Sequence, residues 1–142
     1  MKKYPAILNA ILAIALLALA GFSAADSLDQ SQPLTSPSGI RYITGGVGDQ
    51  SRQRMDALRK DYNLLLTFAH PSGEYLADVT VSILSAKQDI TLNAVSPGPL
   101  FFAELPDGRY TINATFNGKQ KSYKVLIGGG RSKELVYYFP KE

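Results

Sequence analysis

Three closely spaced glycines are the first feature of this sequence that could carry chemistry. Gly45, Gly46 and Gly48 lie in the stretch "YITGGVGDQS", between a short β-like run and the expected start of a helix. Such turns bind phosphate in many proteins, because backbone N–H groups at a helix N-terminus point at the anion. The two common nucleotide motifs fail here, since no lysine follows the glycines and Ser51 stands where the dinucleotide motif has its third glycine. We expect a sharp turn with Asp49 as the helix cap, and we keep the glycines as candidate ligand contacts.

Residues that could act as nucleophile, acid or base are sparse. The only histidine, His70, precedes a proline in an expected solvent-exposed turn, and a general base needs an oriented partner. Asp78, Glu104 and Asp107 could meet at one end of a sandwich and act as a hydrolytic pair, but turn and surface roles explain all three. The chain has no cysteine and no Gly-x-Ser-x-Gly elbow. We therefore predict no catalytic residue, cofactor or metal site, and a small hydrolase is a distant alternative.

Two further features suggest binding rather than catalysis. The stretch "GGGRS", residues 128–132, either holds an anion with the help of Arg131 or is a hairpin loop that needs positive φ angles. In "VYYF", Tyr138 faces away from its two aromatic neighbours and, with Tyr75 or Tyr123, could form a platform for a sugar or a partner protein. The predicted partner or ligand contacts are Gly45, Gly46, Gly48, Arg52, Tyr75, Arg131 and Tyr138.

The first 25 residues have the layout of a secretory signal peptide. A positive start is followed by the nearly continuous apolar run 6–20 and by the small residues Ser23, Ala24 and Ala25. The run is shorter than the ~20 apolar residues that a spanning helix needs, so we expect cleavage near Ala25 and no retained membrane span. The expected location is the periplasm or the extracellular space, and the lack of cysteine favours a bacterial periplasm.

Composition limits the mature protein to one domain held together by burial. Removing the first 25 of the 142 residues leaves 117, which is enough for a single compact domain. Lys2 and Lys3 leave with the signal peptide, so the remaining 13 basic and 12 acidic residues nearly balance. A nucleic-acid partner is therefore not expected, because such proteins carry a basic face.

The segment before residue 63 divides into two expected parts. Residues 26–38 are polar and contain two prolines, which predicts a flexible leader. Residues 39–62 contain the alternating run "GIRYI", the glycine turn and a helix to about Asp61. The helix has one apolar stripe at Met55, Leu58 and Tyr62.

Residues 63–140 are expected to form strands separated by turns. Alternating runs such as "VTVSIL" and "RYTINATF" are broken by "PSGEY", "SPGP", "PDG" and the hairpin signal Asn117-Gly118. About seven short strands at this spacing predict an antiparallel β-sandwich. The fold class is thus mainly β, with the N-terminal helix on the edge or end of the sandwich. Its edge strands could add a partner strand by backbone pairing, and Lys133, Pro140 and Lys141 would limit this at the last strand.

The stretch "LPDGRYTINATFNGKQKSYKVLI" resembles the latter half of a carboxypeptidase regulatory-like domain, which is a transthyretin-like sandwich. The earlier stretch "PSGEYLADVTVSIL" resembles the front of the same family, so the likeness covers residues 63–139. One departure is "SPGPL", where the family usually has an aspartate and a glycine before its phenylalanine strand. The resemblance implies a fold and not an activity, because enzymes with such domains hold their catalytic residues in another domain.

Three functions are compatible with these features. The first is an exported, non-enzymatic module that binds a periplasmic or cell-envelope protein or serves as a structural accessory. The second is a carbohydrate-binding module that uses exposed tyrosines. The third, more distant, is the small hydrolase.

Overall fold

A computed structural model describes residues 32–141, so the predicted signal peptide and the leader up to residue 31 lie outside the described residues. The described part contains nine strands and one α-helix. Alternation of apolar and polar side chains builds most of these strands, because it gives each strand one face to bury. The strands are β1 (Leu34–Thr35), β2 (Arg41–Gly45), β3 (Leu64–Ala69), β4 (Val79–Ser85), β5 (Ile90–Ser96), β6 (Leu100–Glu104), β7 (Gly108–Phe116), β8 (Lys119–Ile127) and β9 (Lys133–Tyr138). The helix α1 (Asp49–Leu58) continues into the 3-10 turn Arg59–Asp61.

The strands form two facing sheets. A five-stranded sheet has the order β1-β2-β6-β3-β9, and a four-stranded sheet has the order β5-β4-β7-β8. Asn117 and Gly118, both with positive φ, form the predicted hairpin between β7 and β8. The mainly β fold with one short helix is therefore confirmed.

Two details of the predicted architecture are wrong. The described residues hold nine strands rather than seven, because "GIRYI" forms β2 as a full neighbour of β6 and Leu34–Thr35 adds β1 beside it. The sheets are also not wholly antiparallel, since β9 runs parallel to β3. After β8 the chain crosses to the other sheet before forming β9. No hairpin joins β3 to β9, so nothing imposes an antiparallel direction on this pair.

The end of the predicted leader is ordered, contrary to the expectation of flexibility up to Ser38. Leu34 pairs with Tyr42 in the five-stranded sheet. Ser36 is buried, and its hydroxyl accepts the N–H of Ile40 at 3.1 Å. Side-chain and backbone hydrogen bonds of this kind hold a polar turn that has little apolar surface to bury.

The main core fills the space between the two sheets. Phe68 and Tyr137 from the five-stranded sheet meet Ile83 and Ile112 from the four-stranded sheet, and all four side chains are fully buried. The Tyr137 hydroxyl donates to the carbonyl of Ile112 at 2.6 Å, which ties the sheets together. Burial raises the pKa of the Tyr137 hydroxyl far above its ordinary value.

The helix α1 lies on the outer face of the five-stranded sheet, and the expected position at an edge or end is wrong. Met55 is fully buried in a second apolar cluster with Ile43, Leu65 and Phe102, which come from β2, β3 and β6. Tyr62 completes this cluster, so the predicted stripe of the helix is confirmed. The central strands read "LLLTFA" and "LFFAE". Such continuous apolar runs are typical of strands covered on both faces.

The helix also starts differently from the prediction. Gly48 is the cap residue, and Asp49 is the first residue of the helix, where its carboxylate pairs with Arg52 instead of capping. Ser51 accepts the N–H of Gly46 through its hydroxyl at 2.8 Å. A carboxylate in the first turn still interacts favourably with the helix dipole, so Asp49 stabilises the start of α1 without capping it.

Candidate functional site

An open groove runs beside α1 on the outer face of the five-stranded sheet. Its volume is about 440 Å³. One wall is the helix, the floor is formed by β3 and β6, and the far side is formed by Tyr75 and the start of β9. The residues that line this α1 groove are Arg52, Gln53, Asp56, Arg59, Thr67, Tyr75, Leu100, Phe102 and Glu134.

Two arginines of the helix wall lie over aromatic rings. The guanidinium of Arg52 is 5.9 Å from the ring centre of Tyr75, and that of Arg59 is 6.0 Å from the ring centre of Phe102. A guanidinium over an aromatic face is attracted by the negative face of the ring. Both arginines are therefore held against the groove, while Tyr75 stays 55% exposed.

Ion pairs fix the charged wall in place. Arg59 bonds to Glu134 of β9 at 2.8 Å and lies 4.0 Å from Asp56. Arg52, Asp56 and Arg59 are spaced by four and three residues, which places them on one face of the helix. The Arg59–Glu134 pair thus joins the 3-10 turn at the end of α1 to β9 across the groove.

Tyr75 and Tyr138 lie on the same outer face, with a small residue between them. Ala69 at the end of β3 pairs with Tyr75 on one side and with Tyr138 on the other. Cross-strand partners project to the same face, so the two tyrosines flank Ala69 two strand spacings apart, about 10 Å. Tyr138 is 46% exposed. Tyr75 and Tyr138 thus lie on one surface on either side of Ala69.

The glycine turn contacts another turn of the same chain. A Cβ atom on Gly46 would lie 2.9 Å from Cγ of Leu100, and one on Gly98 would lie 2.3 Å from the carbonyl oxygen of Gly45. Gly46 therefore supports Leu100, which forms part of the groove floor. Gly48 has open space around its Cα and acts as the helix cap. Close approach of the stretch "SPGPL", together with a positive φ, accounts for Gly46 without a ligand, and the close approach also accounts for Gly98.

Arg131 lies apart from the other predicted contacts. It is exposed in the turn between β8 and β9, at the opposite end of β9 from Tyr138. Its backbone N–H bonds to Gly128 at 3.4 Å, and Gly129 and Gly130 both have positive φ. Backbone conformation therefore explains Gly129 and Gly130.

His70 is half-buried, in contrast to the expected exposed turn residue. Its Nδ1 lies 2.5 Å from the carbonyl oxygen of Phe139, and its ring meets the ring of Phe116 edge-on. Nearby, Lys141 bonds to Glu74 at 2.9 Å and holds the pKa of that carboxyl below its ordinary value by this bond and its charge. Both contacts fasten the segment after β9 to the turn that carries Tyr75.

The three scattered carboxylates do not form one cluster. Asp78 precedes β4, at the end of the sandwich that carries the β7–β8 hairpin. Asp107 precedes β7, at the opposite end. Glu104 pairs with Arg41 at 3.3 Å. Within residues 32–141, no three histidine or acidic side chains are close enough to hold a metal ion. The same residues include no helix that is long and apolar enough to cross a membrane.

A second depression, of about 450 Å³, lies at the start of β7 and the end of β8, next to the β4–β5 turn. It includes Arg109, Lys124 and Tyr110, but the Tyr110 hydroxyl already donates to the carbonyl of Pro106 at 2.7 Å. Burial, with the nearby charge of Asp107, raises the pKa of Tyr110. This bond belongs to the turn "LPDGRYT" and serves the fold, so the α1 groove is the stronger candidate.

Of the residues that line the groove, the sequence analysis named Arg52 and Tyr75 as possible partner or ligand contacts but missed Arg59, Phe102 and Glu134. The spacing of Arg52, Asp56 and Arg59 on one helical face was an available signal. Comparison of the chain with known protein-family models gives no match, and comparison with curated proteins likewise finds no similar sequence.

Proposed function

We propose that this chain is an exported, non-enzymatic binding module and that a partner protein docks in the α1 groove. The periplasm or cell envelope is the proposed location, on the basis of the signal-peptide pattern in residues 1–25. The proposed family is that of the carboxypeptidase regulatory-like domains. The facing β-sheets and the bond of Tyr110 to Pro106 within "LPDGRYT" support it.

One observation carries the choice of a protein partner. In the α1 groove, Arg52 lies over the exposed ring of Tyr75, and Arg59 lies over the ring of Phe102, which is buried beneath the groove. Tyrosine and arginine dominate the residues that contribute most to protein–protein binding, and aromatic residues are enriched at interface cores. Because ion pairs and packing already hold these side chains, a partner would lose little free energy in ordering them.

Affinity capture with groove variants tests this proposal. Arg52→Ala and Tyr75→Ala each truncate an accessible side chain, so the fold should be retained. We expect each variant to recover a partner from a cell-envelope fraction about tenfold less well than the unaltered protein, as for interface hot spots. Lys87→Ala and Val95→Ala are the matched controls, since both residues are exposed on or beside the four-stranded sheet. Equal loss in the controls, or no loss in the groove variants, would refute the proposal.

A glycan is the second candidate, and the row Tyr75-Ala69-Tyr138 favours it. Two exposed aromatic rings on one face suit stacking against sugar rings. Arg52 lies over Tyr75, however, which leaves less of that ring available to a sugar. Glycan-array binding that is lost in Tyr138→Ala, together with no captured protein, would select the glycan over the protein partner.

A further inference from the structure

The four sheet edges of the molecule are not equivalent. The strands β1 and β9 form the edges of the five-stranded sheet, and β5 and β8 those of the four-stranded sheet. β1 has only two residues. The hydroxyls of Ser36 and Ser38 both donate to the carbonyl of Thr91, so the turn before β2 occupies the free edge of β5. One side of the sandwich is therefore closed, and the side with β8 and β9 is open.

The free edge of β9 presents unpaired backbone groups. The N–H of Lys133 bonds to Asn63 at 2.8 Å, and that of Phe139 bonds to Ala69 at 2.9 Å. Backbone groups alternate in direction along a strand, so the N–H and C=O groups of Glu134, Val136 and Tyr138 point away from β3. Within residues 32–141, β9 pairs with no strand on that side.

Charge distinguishes this edge from its neighbour β8. Lys119, Lys121 and Lys124 all lie on β8, and lysines on an edge strand oppose unspecific pairing. In β9, by contrast, the residues from Leu135 to Tyr138 are uncharged. Lys133, Pro140 and Lys141 flank this stretch instead of interrupting it, so they limit pairing beyond its ends and leave the stretch itself available. The open side therefore combines an available backbone edge with a positive flank.

We propose that the free edge of β9 binds an extended acidic segment of a partner protein as an additional strand of the five-stranded sheet. The inward-facing side chains of such a segment would approach Lys121, whose ammonium lies 5.7 Å from the ring centre of Phe139. Lys121 pairs with the buried Ala114 and so lies on the inner face of the four-stranded sheet, and it has no ion-pair partner among the described residues. Backbone pairing supplies affinity in strand addition, and the alternate side chains supply specificity.

A second copy of the chain fits this edge less well. A two-fold pairing of β9 with its copy would also bring the two β8 edges together. The lysines of β8 would then face their counterparts, and like charges across an interface oppose association. The site is distinct from the α1 groove, although Glu134 lies beside both, and it does not depend on the groove being occupied.

Amide hydrogen exchange of the full-length protein tests the inference directly. The probe is a soluble peptide of about ten residues in which glutamate and threonine alternate, a length that matches a long strand. We expect saturating peptide to slow exchange of the Val136 and Tyr138 amides by about tenfold or more, since these amides gain a partner. The same peptide with lysine in place of glutamate should give no protection.

Two variants test whether the acidic peptide binds at the edge of β9. Lys121→Glu should weaken binding of the acidic peptide by roughly fivefold, as expected for one reversed charge. Lys87→Glu makes the same charge change away from the edge, so it should leave the binding of the peptide unchanged. Val136→Pro removes an amide that faces solvent, so it should fold and lose peptide binding. Equal protection by both peptides, unchanged binding in Lys121→Glu, no protection by the acidic peptide, or protection that appears with protein concentration alone would each overturn the inference.

Discussion

At the scale of single residues, a glycine allows two distant parts of the chain to come into close contact. Gly98 passes so near to Gly45 that a methyl group could not fit between them. The sequence predicted a sharp turn at Gly45, Gly46 and Gly48 but not its neighbour, because turn signals are local and this contact joins distant segments. The neighbour of the glycines is "SPGPL", the stretch in which the sequence departs from the pattern of the proposed family.

Tyr137 should make the protein sensitive to alkaline pH. Its folded-state pKa is raised by burial, so its contribution to stability is complete below the ordinary tyrosine value and is lost as pH rises above it. We expect the free energy of unfolding to fall between about pH 10 and pH 11, by up to ~1.4 kcal/mol for this residue. Denaturant unfolding at these two pH values measures the change.

Lysine side chains also titrate at about pH 10, so a substitution of Tyr137 is needed to separate its contribution to the alkaline decrease in stability from theirs. Tyr137→Phe should cost about 1 kcal/mol at neutral pH, through the lost bond to Ile112, and should show a smaller alkaline decrease than the unaltered protein. The exposed Tyr138→Phe is the matched control and should retain the full decrease. An identical pH dependence in Tyr137→Phe and the unaltered protein would show that the raised pKa of Tyr137 does not matter for stability.

At the scale of elements, the helix was predictable but its position was not. The spacing of Met55, Leu58 and Tyr62 predicted one apolar face. The partner of this face is a surface of β2, β3 and β6, which comes together only when three separate strands pair. Continuous apolar runs in β3 and β6 were the available sign that both faces of the sheet are covered.

Met55→Ala should loosen α1 more than the sandwich. Met55 is fully buried between the helix and the sheet, and truncation of such a side chain costs about 2–5 kcal/mol. We expect faster hydrogen exchange in residues 49–61 than in β4 and β7, because the second cluster holds only the helix layer. Leu92→Ala, in the main core, is the control and should accelerate exchange in the sheets. The same exchange pattern in both variants would contradict a separate helix layer.

At the scale of the whole molecule, local patterns predicted the strands well and their pairing less well. Seven strands after residue 62 follow the alternation and turn signals of the sequence. The parallel pairing of β9 with β3 depends on a crossing between sheets, about which no short stretch carries information.

The candidate site was likewise predicted in part. Arg52 and Tyr75 were singled out from the sequence for different reasons, one beside the glycine turn and the other as an exposed aromatic residue. Their contact arises because the turn before β4 pairs with the end of β3 and places Tyr75 below the helix. Glu134 joins them through the crossing of β9, so the groove is a product of tertiary structure.

Site-specific photo-crosslinking in cells tests the central claim that a partner docks in the α1 groove. A photoreactive residue at Gln53 stands in the groove wall, and the same residue at Val95 or Lys87 stands on or beside the four-stranded sheet. Val95 and Lys87 are exposed and lie away from both α1 and the free edge of β9, so these two positions control for random encounters. We predict one discrete crosslinked protein from Gln53 and none from the other two positions. A crosslinked partner at Val95 or Lys87 with none at Gln53 would contradict the account.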